Sequence, residues 1–287
     1  MNLSKWKFKD GVNMYQCFNG SKITSIDLSN TTINTGFQEL FYNCKSLKTV
    51  NLSGATLTGT MQAMFSGCDE LTSIDFTGAT IKPTNLYGIF NNCLKLTTID
   101  TSTWDLSDCT SLQRCFVGCS GLTSIIGIED WNVEKVTNME GTFQACSKLE
   151  LLDLSSWNVS KCTTMGGMFN GCSLLKSIVM PNGESPVGVM NHMFVNCQSL
   201  TNIDFSGFIP TKLTSIAYMF SKCYSLKEID LSTFKSDNVT YWEGFFDQCS
   251  SLQVADCSNM KWNSTMGAFY QTKNFNTLGL IYLDADS

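Results

Sequence analysis

Histidine is nearly missing from this chain: its 287 residues contain one, His192. A Ser-His-Asp or Cys-His arrangement therefore cannot be assembled within it, since each needs an imidazole beside the nucleophile and here that imidazole would have to be His192, which falls on the polar side of its segment. No Cys-x-x-Cys pair accompanies the lone histidine, which argues against zinc. Basic residues are also in short supply, 19 Lys and Arg against 25 Asp and Glu, for a net charge of −6. That balance speaks against nucleic acid, which a basic stripe must hold, and against a polybasic membrane anchor. No apolar run approaches the ~18 residues of a membrane span. The opening residues carry no apolar stretch of the kind an ordinary secretory signal requires, so the expectation is cytoplasmic synthesis with virion or surface assembly afterwards. Gly-x-Gly and Walker-type loops are missing. Acidic pairs such as Glu129/Asp130 and Asp69/Glu70 are consecutive, with nothing to set them across a cleft. No enzyme activity and no cofactor are expected.

What the chain has instead is a period. Phe18, Phe41, Phe65, Phe90, Phe116, Phe143, Phe169, Phe194, Phe220, Phe246 and Phe269 follow one another at intervals of 23 to 27 residues. A repeat of that length marks a solenoid, in which each unit buries its apolar face only against its neighbours. Nine of these phenylalanines have a cysteine three positions on, from Cys44 to Cys249. Equivalent atoms of helical coils would stand roughly 8–10 Å apart, whereas a disulfide needs α-carbons within about 7 Å. These cysteines therefore read as small buried packing groups.

Within one repeat, Met165, Met168, Phe169 and Cys172 fall at i, i+3, i+4 and i+7, which predicts a helical stripe of two turns. A short alternating strand follows, as in Ile26-Asp27-Leu28 and Ile229-Asp230-Leu231, and a Ser or Thr then suits a turn. Coils that all run the same way make these strands parallel. The count from stripe to strand is nearly constant, while the strand-to-stripe loop varies. Leu52 to Met61 is nine steps and Leu154 to Met165 eleven, so the insertions collect on one edge, where recognition is often placed.

The stretch Leu152-Asp-Leu-Ser-Ser-Trp-Asn-Val through Thr164-Met-Gly-Gly-Met-Phe-Asn-Gly-Cys172 resembles the bacterial surface protein repeat of the BspA-like leucine-rich repeats, as do Ile128-Glu-Asp-Trp-Asn-Val and Val136-Thr-Asn-Met. The resemblance spans essentially the whole chain. It implies a right-handed solenoid used for adhesion or protein recognition, without catalysis. The expectation is one domain over 1–287: an α/β array of about 11 coils, strands on one face and helical turns on the other. Residues 1–17 would be a half repeat, with Met1 at a strand isoleucine position, and 269–287 a degenerate repeat and tail.

Two rows are candidate binding residues. Asp75, Asp100, Asp204, Asp230 and Asp256 share an outward strand position with Asp27 and Asp153, and could hold a cation or a basic partner. Alternatively they bond a parallel row of hydroxyls, Ser25, Thr49, Ser73, Thr98 and Ser124. Trp104, Trp131 and Trp157 open the longer loops, with Phe208 and Phe234 in line, either as an aromatic platform for a glycan or protein loop or as core filling where shorter repeats use Ala55 and Ala79. The expected function is recognition of a protein or cell-surface glycan through the variable-loop edge and the solenoid ends, which could also self-associate. The alternative is a structural part of a phage virion or tail fibre.

Overall fold

The computed structural model describes residues 1–3, 13–34, 36–261 and 281–282. Their contacts fall into two compact units, 1–136 and 137–287. Each is a β-solenoid. In the first, parallel strands Ser25–Asp27, Thr49–Asn51 and Ser73–Asp75 pair in register, as do Thr98–Asp100 and Ser124–Ile126. In the second, Leu151–Asp153, Ser177–Val179 and Asn202–Asp204 form one sheet, and Glu228–Asp230, Val254–Asp256 and Ile281–Tyr282 another. Asn2 bridges to Asp27, which sets Met1 level with Ile26, the strand position read from the sequence.

The expected helical turns are not there. Among the described residues the single helical element is a three-residue 3-10 turn, Ile128–Asp130. The described residues form a β-solenoid of about nine turns with essentially no helix, so neither the α/β description nor the count of eleven coils is confirmed. Phe269, the eleventh phenylalanine of the series, lies outside the described residues. The stripe residues instead form a ladder. In the coil of Phe169, the amides of Met165, Gly167, Phe169 and Gly171 donate to carbonyls of Val189, Asn191, Met193 and Val195 in the next coil. The residues between close local turns, Met168 to Met165, Asn170 to Gly167 and Cys172 to Phe169. An α-helix would need every amide for its own chain. The residues two before and two after each ladder phenylalanine are left-handed, from Gln16 and Gly20 (φ 57° and 65°) to Gly244 and Gln248 (φ 60° and 59°). Two such residues four apart interrupt any helix, while the side chains they separate still point inward.

Those side chains build the core. In the first unit Phe18, Phe41, Phe65, Phe90 and Phe116 stack at centroid distances of 5.4 to 5.6 Å. In the second, Phe143, Phe169, Phe194, Phe220 and Phe246 stack at 5.2 to 5.6 Å. From Phe41 on these rings are essentially sealed from solvent. Each contributes roughly 1.5–3 kcal/mol by burial and ~0.5–1.5 more by ring stacking.

A second sheet was not read from the sequence. In the first unit Thr32–Ile33, Thr56–Thr60 and Thr80–Asn85 pair in parallel across the short loops, and in the second Gly183–Ser185 pairs with Phe208–Pro210. Short connections bond to the preceding coil and need only Ala55 or Ala79 at the corner. The longer loop of Trp104 also bridges to Ile81 of the preceding coil, and it places its tryptophan inside.

Candidate functional site

Both candidate rows serve the fold first. Each strand of the main row that ends in Asp or Asn closes on itself. Oδ1 of Asp27, Asn51, Asp75, Asp100, Asp153, Asp204, Asp230 and Asp256 accepts the amide two residues on, at 2.8 to 3.0 Å. The expected bonding to the parallel hydroxyl row is replaced by this turn. Residues two apart on a strand are roughly 6.6 Å apart, out of reach for so short a side chain. The hydroxyls pair with one another where they bond, as Thr98 does with Ser124 at 3.1 Å. Hydrogen bonds hold several of these carboxyls below the ordinary carboxylate range: the Thr77 amide for Asp75, and the Ser102, Ser155 and Ser206 hydroxyls, then amides, for Asp100, Asp153 and Asp204. Asp75, Asp100, Asp153, Asp204 and Asp230 are exposed, and Asp27 and Asp256 half-buried. Asp230 and Asp256 stand in direct register.

The tryptophans are inside. Trp104, Trp131 and Trp157 are 7%, 3% and 1% exposed. Trp104 stacks on Trp131 at 6.1 Å and meets Phe76 edge-on at 5.5 Å, and Trp131 Nε1 donates to Thr101 Oγ1 at 3.0 Å. In the second unit Trp157 leans on Phe143, and Phe208 lies beside Phe234. An aromatic platform open to a ligand is not what these rings form; filling a wide corner removes them from solvent.

A shallow trough of about 410 Å³ lies on the strand face of the first unit. Ser25, Thr49 and Ser73 line one flank, and Asp27, Asn51 and Asp75 the other. Its floor is the backbone of Ile26, Val50 and Ile74, with Met1 at one end. Among the described residues no three His, Cys, Asp or Glu side chains gather to hold a metal ion, and no helix is long and apolar enough to cross a membrane.

The ladder cysteines have a role that the sequence did not show. Sγ of Cys44, Cys68, Cys93 and Cys119 in the first unit donates to the carbonyls of Phe18, Phe41, Phe65 and Phe90 in the preceding coil, at 2.8 to 3.2 Å. Cys172, Cys197, Cys223 and Cys249 do the same in the second, at 2.9 to 3.2 Å. All 14 cysteines are free thiols and only Cys17 is exposed. Burial pushes the thiols of Cys119, Cys162, Cys172, Cys249 and Cys257 up to about 12.

Comparison with known proteins places this architecture. Residues 2–97 and 166–281 match the model of the BspA type leucine rich repeat region in six copies, and residues 84–201 match that of a Mycoplasma protein of unknown function, DUF285. The first match takes in well over half of the sequence, and the chain belongs to the BspA-type leucine-rich-repeat family. Solved structures similar to it include a leucine rich cell surface protein from Faecalibacterium prausnitzii, 19% identical over 94% of this chain and 82% of that one, TM-score 0.41. Others are the leucine-rich-repeat protein of T. pallidum, 18% identical over 72% and 79%, TM-score 0.37, and one from Bacteroides ovatus, 19% identical over 84% and 81%, TM-score 0.36. No curated protein matches the chain. Repeats of this type commonly mediate protein interaction or adhesion and are generally not enzymes. A virion role gains no support from these matches.

Proposed function

We propose that this chain is a non-enzymatic recognition module that takes a basic protein partner across its strand face, with the adjoining variable-loop edge completing the contact. The observation that carries this reading is the trough over Ser25–Asp27, Thr49–Asn51 and Ser73–Asp75. It is polar and open, flanked by Asp27, Asn51 and Asp75 on one side and by hydroxyls on the other, and built on paired parallel strands. Asp100 extends the acidic rim in the first unit, and Asp204, Asp230 and Asp256 form its counterpart in the second. Trp104, Trp131 and Trp157 contribute by fixing the loops they anchor. The reading takes 1–287 as one array, because the phenylalanine interval persists from Phe116 to Phe143.

Charge and fold can be separated at these positions. Asn51 makes the same strand-ending turn as the aspartates, with its Oδ1 2.9 Å from the Ser53 amide. Asp75→Asn with Asp100→Asn, and the same exchange at Asp204, Asp230 and Asp256, should keep the fold and lower affinity for a basic protein probe at least about tenfold, a loss of ~1.4 kcal/mol. Affinity should also lose much of its salt dependence. Unchanged binding in the five-fold variant would refute the assignment.

A further inference from the structure

A separate depression lies on the turn face of the second unit, away from the strands. It encloses about 350 Å³ over Gly166 and Gly167, between the coil of Phe143 and that of Phe194. Glu140 and Gln144 wall it on one side and Asn191 and His192 on the other, with Asn170 at one end. We propose that this groove seats one pyranose ring of a neutral saccharide, its apolar face against the open side of His192 and its hydroxyls bonded to the amides of Gln144, Asn170 and Asn191.

The geometry begins with the ladder. The Gly167 amide donates to the Asn191 carbonyl at 2.9 Å, and that of His192 to the Ala217 carbonyl at 2.9 Å. Gly167, His192 and Tyr218, each two before its phenylalanine, therefore follow one another in a column. His192 stacks on Tyr218 with centroids 5.5 Å apart and planes 18° from parallel. In the preceding coil the equivalent position is Gly167, which has no side chain to lie against the imidazole. A Cβ built on Gly167 would meet nothing closer than Asn170 Cβ at 4.0 Å. The column thus ends in an aromatic face with an open space beside it, about one coil spacing (~4.8 Å) deep.

The walls decide what fits that space. Three carboxamides each offer two donors and an acceptor, matching hydroxyls that both give and accept hydrogen bonds. The Glu140 carboxylate adds an acceptor. Val189 is the one aliphatic wall residue, too little for a wholly apolar ligand. A sugar ring has the complementary arrangement: C–H groups on one face for the imidazole, hydroxyls at its edge for the amides. The volume lies at the small end of ligand pockets, ~300–1,000 Å³, so one ring rather than a long oligosaccharide is the unit held. This assignment does not depend on the protein-binding trough, which lies in the other unit.

The single histidine makes the test direct, because only one imidazole appears in a proton–carbon spectrum of the 287-residue chain. Titration with glucose, galactose, mannose and N-acetylglucosamine should shift the His192 ring signals saturably for at least one sugar. Asn170→Ala and Gln144→Ala should each weaken that sugar about tenfold, ~1.4 kcal/mol. His192→Asn should abolish binding in calorimetry while leaving the fold, since asparagine already holds the left-handed position at Asn196 (φ 60°, against 58° at His192). The proposal is overturned if no sugar moves the ring signals, if both amide variants bind undiminished, or if N-acetyl-tyrosinamide shifts the ring where the sugars do not.

Discussion

At the scale of single residues, the ladder cysteine explains itself through the bond it makes. Its side chain is small enough for the coil interior and donates to a phenylalanine carbonyl one coil back. Alanine would fit but gives up that donor and leaves a small void. Cys172→Ala should therefore cost about 1–2 kcal/mol, read from denaturant midpoints. The thiols also couple stability to pH. Their folded pKa lies near 12 for Cys119, Cys162, Cys172, Cys249 and Cys257, against an ordinary value of 9.0. An acid that holds its proton more tightly when folded stabilises fully below the unfolded pKa, and that contribution is lost as pH climbs from the lower value to the higher. The urea midpoint should accordingly fall from pH 9 upward, with many thiols acting together; a flat profile to pH 11, where Cys109 also titrates, would contradict this. Below pH 9, a thiol reagent should label Cys17 alone in the native protein.

At the scale of the element, the coil's turn segment balances two requirements. Every second amide must reach the next coil while the amides between close local turns, and the chain must reverse at two of the ladder residues, such as Gly167 and Gly171, which the left-handed conformation does. Glycine and asparagine fill many of these places, but Ala145 (φ 58°) and Ala63 (φ 49°) do not suit theirs. A non-glycine residue there costs ~1–2 kcal/mol, and glycine's looser unfolded state returns part of the gain, ~0.4–1. Ala145→Gly should thus raise stability by about 0.5–1 kcal/mol, seen as a higher thermal midpoint. The opposite case is Gly127, at φ 79°, where an added Cβ would lie 2.6 Å from Ser102 Cα. Backbone cannot step aside as a side chain can, and Gly127→Ala should lose about 2–4 kcal/mol.

At the scale of each whole unit, stability is a sum over neighbouring coils. Phe169 touches Phe143 and Phe194 in the stack. Phe169→Ala should cost about 3–5 kcal/mol, and hydrogen exchange should accelerate in its own and the two flanking coils far more than around Phe220 and Phe246. Uniform acceleration through the unit would mean the coils are not independent in this way. Much of this architecture was legible beforehand. The phenylalanine period gave the stacking, Ile26-Asp27-Leu28 and its counterparts gave the parallel strands, and the resemblance carried by Leu152 to Cys172 gave the family. The helix did not survive, because Met165, Met168, Phe169 and Cys172 at helical spacing also suit two turns reversed at Gly167 and Gly171. The platform of Trp104, Trp131 and Trp157 failed for a related reason: loop length and aromatic size rise together whether the ring faces out or fills the wider corner.

What the amino-acid order determined by itself is periodic: which residues recur, at what interval, and therefore which must be neighbours in successive coils. Recurrence is a one-dimensional property and survives any local conformation that keeps equivalent residues stacked. Only the tertiary structure decided where the hydrogen bonds of each coil go, since an amide's choice between its own chain and the next depends on a coil about 25 residues distant. That choice made the stripe a ladder, bent the aspartates into their own turns, and left open the space beside His192.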